Sequence, residues 1–131
     1  MSSRNGKECD YVSFENIELI HRQIVIDLTI RTLEHDRKHL SHFKMSRAFE
    51  MWFDLKIMEL HADLKKVKLE LGKRGAKVQS HKVEGDFTIF TVVEKGVVSN
   101  KNYMNIALKN WCEEETKRLL GLEYRTMNDV K

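Results

Sequence analysis

The segment Arg47–Leu71, RAFEMWFDLKIMELHADLKKVKLEL, leaves a chain of this kind little freedom. Phe49, Phe53, Ile57, Leu60, Leu64, Val67 and Leu71 follow one another at gaps of four and three, which places them along one side of an α-helix. Ala48, Met51, Leu55, Met58 and Ala62 widen that apolar side in the first half of the segment, and Lys56, Glu59, Asp63, Lys66, Glu70 and Lys73 keep the same rhythm opposite them. Such a helix takes more of its stability from the surface it packs on than from its own propensity, so the rest of the chain must supply that surface. The complete absence of proline favours long uninterrupted helices and few elaborate loops.

Upstream, Ser13 and Glu15 make a helix start, with Ser13 as N-cap and Glu15 near the positive end of the dipole. One long helix is expected from there to Phe43. Ile17, His21, Ile24, Leu28, Arg31, His35, His39 and His42 share one face, while Leu19, Ile26, Ile30, Leu33, Arg37 and Leu40 lie nearly opposite. A helix apolar on two sides belongs between neighbours. Ile24, Ile26, Leu28 and Ile30 also alternate with a strand's period of two, but no Gly, Pro or turn cluster bounds them as a strand requires. Lys44-Met45-Ser46 is the expected turn, with Ser46 capping the second helix, and so short a link makes the two helices an antiparallel hairpin.

Gly72 and Gly75 end the second helix beside Lys73 and Arg74. Period two then takes over: Lys77–Val83 reads as a strand, Glu84-Gly85-Asp86 as a turn and Phe87–Glu94 as a strong strand. Phe87, Ile89, Thr91 and Val93 point one way, and Thr88, Phe90 and Val92 the other. Gly96 and Ser99-Asn100 lead into a third helix over Lys101–Leu120, with Met104, Leu108, Trp111, Glu115, Leu119 and Leu122 as its stripe and Gly121 as its stop. The expected architecture is α+β: a long antiparallel helical hairpin, a two-stranded antiparallel β-hairpin and a C-terminal helix. It forms one domain over 1–131, with 1–12 and 123–131 as mobile tails.

A hydrophobic fraction of 41% with 33% charged residues is globular rather than disordered composition. The net charge of +3 permits an acidic partner without demanding one. Cys9 and Cys112 form no paired framework of the secreted kind, and MSSRNGKECD lacks the apolar core of a signal peptide. The most apolar run, Ile24-Val25-Ile26, is far too short for a bilayer. A cytoplasmic protein without membrane contact is expected.

Three constellations bear on function. His35, His39 and His42 sit one and two turns apart on the expected helix face, so two could share a metal, with His61, Glu59, Asp63, Cys112 or Glu115 as a further ligand. Against this, a helix end rich in charged residues and histidine is ordinarily solvated, and neither HExxH nor CxxC is present. Lys65, Lys66, Lys68, Lys73, Arg74, Lys77 and Lys82 crowd one stretch, which suits a phosphate backbone or a simple solubilising face. Glu113-Glu114-Glu115 reads as the wet side of the third helix. Finally, the strand Phe87–Glu94 is apolar on both faces with an unpaired edge, and exposed edges seek partners.

Glu15-Asn16-Ile17 with His21-Arg22-Gln23, His61-Ala62-Asp63-Leu64, Gly75-Ala76-Lys77-Val78, Asp86-Phe87-Thr88, Asn105 and Leu119-Leu120 resemble small uncharacterised cytosolic proteins of Gram-positive bacteria. The resemblance covers most of the chain and implies a helical hairpin, a β-hairpin and a closing helix. It assigns no activity, catalytic residue or cofactor.

The leading expectation is therefore a non-enzymatic interaction or regulatory module acting as a homodimer, with room for another protein partner. Lys73, Arg74, Lys77, Lys82, Phe87 and Ile89 form its nominated surface. The first alternative is a metal-binding helical protein, hydrolytic or not, using His35, His39, His42 or His61. The second is a nucleic-acid-binding protein.

Overall fold

The computed structural model describes residues 14–126, so the Ser13 cap, the whole expected tail 1–12 with Cys9, and residues 127–131 of the other tail lie outside the described residues. Three helices and a three-stranded antiparallel sheet follow in the order α1 (Phe14–Arg37), a 3₁₀ turn (Leu40–His42), α2 (Ser46–Lys73), β1 (Ala76–Glu84), β2 (Phe87–Glu94), β3 (Val97–Met104) and α3 (Asn105–Leu120).

Residues 24–31 are helical, and both sides of α1 are used. Ile20 and Ile24 join Leu71, Ala76, Phe90, Val92 and Leu108 in one cluster, which ties α1, α2, the sheet and α3 together. Ile26, Ile30 and Leu33 join Leu60, Leu64 and Leu119 in a second cluster among the three helices. Ile26 and Leu60 are fully buried, each worth about 1.5–3 kcal/mol of transfer free energy. Thr29, also buried, turns its hydroxyl back to the Val25 carbonyl at 2.7 Å, so no polar group is stranded there. Contacts between α1 and α2 run from the Arg37–Asp54 ion pair near their link to the shared packing of Ile24 and Leu71.

The first helix stops at Arg37, six residues short of Phe43. Lys38 and His39 donate to the carbonyls three residues back, and the chain tightens into the 3₁₀ turn that buries Leu40. Such i→i+3 bonds satisfy the last carbonyls, and His35, Asp36 and His39 are weak helix formers that do little to oppose them. Phe43 is extended, and Ser46 is the first residue of α2 rather than its cap: Met45 takes the N-cap position with no side-chain bond.

The larger correction is a third strand. Residues 97–104, read above as a lead-in and the first turn of a helix, pair along the whole of β2 from Glu94–Val97 to Phe87–Met104. Lys95 and Gly96 form the two-residue connection with φ of 52° and 82°, as a primed hairpin turn requires. Ser99, Asn100, Lys101 and Asn102 are poor strand formers by composition and hid this element. β2 is consequently the central strand, and the open edges belong to β1 and β3.

Helix α3 begins at Asn105, where one side chain binds the neighbouring hairpin together. Asn105 accepts from the Thr88 hydroxyl at 2.6 Å and donates to the Gly85 carbonyl at 3.1 Å, while its backbone N–H donates to Asp86 at 2.8 Å. Gly121 stops the helix as expected, in the left-handed conformation with φ 79°.

Candidate functional site

Helix α2 has two apolar sides, and the described residues cover only one of them. Leu60, Leu64 and Leu71 are buried, with Phe53, Ile57 and Val67 packed partly over the core. Met51, Leu55 and Met58, expected to widen the core stripe, are instead 63%, 47% and 63% exposed, and Ala62 and Leu69 are also exposed. Met51, Leu55, Met58, Ala62, Lys65 and Leu69 recur at gaps of four, three, four, three and four, the rhythm of a helix–helix seam. Glu50, Asp54 and Glu59 flank its first half, while Lys65, Lys66 and Lys68 crowd its second. Beside Leu69, a groove of about 710 Å³ is lined by His61, Leu64, Lys68 and Gly72.

The nominated surface residues fall into two groups. Lys77 faces outward across from Val93 and Lys82 across from Ile89, so both share the outer sheet face with Phe87, Ile89 and Val93. A β-bulge between Val78 and Ser80 produces this sharing. Without it the two lysines, five residues apart, would point to opposite faces. Val98 and Met104 of β3 extend the apolar patch at 62% and 51% exposure. Lys73 and Arg74 lie instead at the end of α2, where Arg74 pairs with Glu70 at 3.2 Å.

The expected histidine face does not form, because α1 ends between its members. His35 lies in the last turn of α1 with its ring 5.1 Å from that of His39 in the link, and His42 belongs to the 3₁₀ turn. His61 faces Glu34 at 3.9 Å. Among the described residues no three His, Cys, Asp or Glu side chains converge as metal ligands.

A second site forms around Glu115, expected only as a candidate further metal ligand and as part of the wet side of α3. Glu115 is buried at 6% exposure, overturning its assignment to the wet side of α3. Arg22 of α1 meets it end-on with two bonds of 2.7 and 3.1 Å, and Arg118 meets it from one turn away at 2.6 and 3.2 Å. Burial pushes the Glu115 carboxyl up, but hydrogen bonds from both guanidinium groups outweigh burial and hold it below the usual range. Next to it, His21 stacks on Tyr103 at 6.0 Å and meets the edge of Trp111 at 5.1 Å. Burial first, and then the Arg22 charge, lower the His21 pKa. These groups adjoin a cleft of about 670 Å³, walled by α1, the end of α2, α3 and residues 124–126. The signal was present in the sequence: Glu115 is a carboxylate inside the apolar stripe of α3, where only a partnered charge survives burial.

Three helices with a three-stranded antiparallel sheet define an α+β protein, and no described helix is long and apolar enough to cross a membrane. The family model described as YhjD protein matches residues 11–124, and the chain belongs to that family. Comparison with curated proteins gives no match, and neither does comparison with solved structures.

Proposed function

We propose that this chain is a non-enzymatic, homodimeric interaction module: a helical hairpin whose second helix carries one seam for its own core and another for a second copy. The observation that carries this reading is the exposed strip Met51, Leu55, Met58, Ala62 and Leu69, which extends about 27 Å at the rise of an α-helix.

The strip suits an antiparallel copy of itself. Around a twofold axis level with residue 60, Met51 comes opposite Leu69, Leu55 opposite Lys65, and Met58 opposite Ala62. Met58 then meets the small Ala62, Leu55 meets the flexible Lys65 stem, and Met51 enters the groove beside Leu69. The same arrangement sets Glu50 and Asp54 near the other copy's Lys65, Lys66 and Lys68. A parallel pair would stack like charges along its length. Regulation by a further protein would use the outer sheet face, where Lys77, Lys82, Phe87 and Ile89 stand together.

Light scattering across a micromolar dilution series tests the reading. The native chain is expected at twice its 15.5 kDa mass, and L55E/M58E at the single-chain mass with unchanged helical circular dichroism. A native chain that is monomeric throughout sinks the proposal. A dimer that survives L55E/M58E and dissociates in F87S/I89S moves the seam to the sheet and sinks the α2 arrangement.

A further inference from the structure

The cleft beside Glu115 has the makings of a ligand site independent of the α2 strip. Its volume of about 670 Å³ lies within the range of small-molecule pockets, and four separate parts of the chain contribute walls. Leu19, Val25 and Trp111 supply apolar surface. At the polar side, two guanidinium groups share the Glu115 carboxylate at hydrogen-bond distance, and Asp63 acts on Arg118 as a further counter-charge. Each guanidinium spends two N–H donors on Glu115, and a guanidinium has five in a planar fork that fits a carboxylate. Both arginines remain about one-third exposed and line the cleft.

The remaining charges of the cleft narrow the ligand class. Glu70 is engaged by Arg74 at 3.2 Å, and Glu114 by Lys117 at 3.0 Å and by the Arg125 backbone N–H at 2.6 Å. These acids and Glu18 make the surroundings unfavourable to a multiply charged anion such as phosphate. One carboxylate can be met by hydrogen bonds from Arg22 and Arg118, whereas each further negative charge would meet the acids.

We propose that this cleft binds a small organic acid with one carboxylate and an apolar, ring-sized body. The carboxylate bridges the outward N–H groups of Arg22 and Arg118, and the body lies against Trp111, Leu19 and Val25. The ligand thereby occupies the junction of α1 and α3 and stabilises the folded chain through binding linkage.

Benzoate is the probe, followed by ¹H–¹⁵N NMR of the native protein. The two tryptophans provide an internal control, because Trp52 lines a separate apolar groove with Phe43 and Phe49. Benzoate is expected to shift the Trp111 indole N–H saturably and leave that of Trp52 unmoved, with the two signals assigned by W52F. Benzylamine, of the same shape and opposite charge, is expected to do neither. R118M, in which Arg22 still pairs Glu115, should weaken benzoate binding by about tenfold, the loss of one charge-assisted contact. The proposal is overturned if Trp111 does not respond saturably, if both tryptophans respond alike, or if benzylamine binds as well as benzoate. Full benzoate affinity in a folded R118M also overturns it. If R118M does not fold, the benzoate–benzylamine comparison on the native chain decides.

Discussion

The two faces of β2 carry similar side chains and meet opposite fates. Thr88, Phe90 and Val92 are buried beneath the helices, whereas Phe87 is 45% exposed and Ile89, Thr91 and Val93 are only partly covered. Phenylalanine and β-branched residues on both sides make either face fit to be a core. The difference arises because Ile20, Ile24, Leu71 and Leu108 converge on one side and no described element covers the other. An apolar face is therefore a requirement for cover, and what supplies the cover is decided elsewhere in the chain.

The sharpest way to break this comparison is to truncate the same residue type on each face. F90A should cost about 3–5 kcal/mol in denaturant unfolding, through lost transfer energy and the cavity left behind. F87A should cost less than about 1 kcal/mol to the isolated chain, as a largely exposed position. Equal losses would mean that the outer face is covered too.

A second contrast lies on α3, between neighbouring acids of opposite burial. E115A should lose about 2–3 kcal/mol, below the full cost of breaking a buried pair because Arg22 and Arg118 stay partly solvated. E113A, at an exposed position, should leave stability unchanged. The pH dependence follows from the same contacts. Because the Glu115 carboxyl is held below its ordinary 4.5, the unfolded chain takes up the proton first. Its stabilisation is complete above that value and is lost as pH falls through the lower folded one. His21 is also lowered from 6.5, so protonation opposes folding and its contribution fades as pH drops below 6.5. E115Q should flatten the acid limb of stability against pH below 4.5, and H21F the limb just under 6.5.

The smallest effect belongs to a pair with better geometry than energetics. Arg37 meets Asp54 at 2.6 and 3.0 Å, in solvent. R37A should leave the melting temperature unchanged within error, since an exposed pair gains little beyond the entropy of holding it. A clear drop would mark the α1–α2 link as more enclosed than its exposed side chains indicate.

Much of the architecture was legible in local pattern. The α2 period, the Phe87–Glu94 alternation and the Gly121 stop each report backbone geometry within a few residues, and each is present in the fold. The third strand was not legible, because Ser99, Asn100, Lys101 and Asn102 owe their extended state to pairing with β2 rather than to propensity. The histidine face requires a helix that continues to His42, whereas i→i+3 bonds at Lys38 and His39 close α1 at Arg37. The outer strip of α2 was visible as apolar residues, yet its exposure was invisible, since periodicity records only which residues share a side.

By itself, then, the sequence determined the helical or extended character of most segments and, within an unbroken helix or strand, which side chains share a side. Tertiary structure alone decided which apolar side is covered, that a bulge aligns Lys77 with Lys82, and that Arg22 reaches a carboxylate 93 positions away. The physical reason is range: backbone preferences act over a turn or two, whereas burial and charge pairing depend on groups that meet only when distant segments pack.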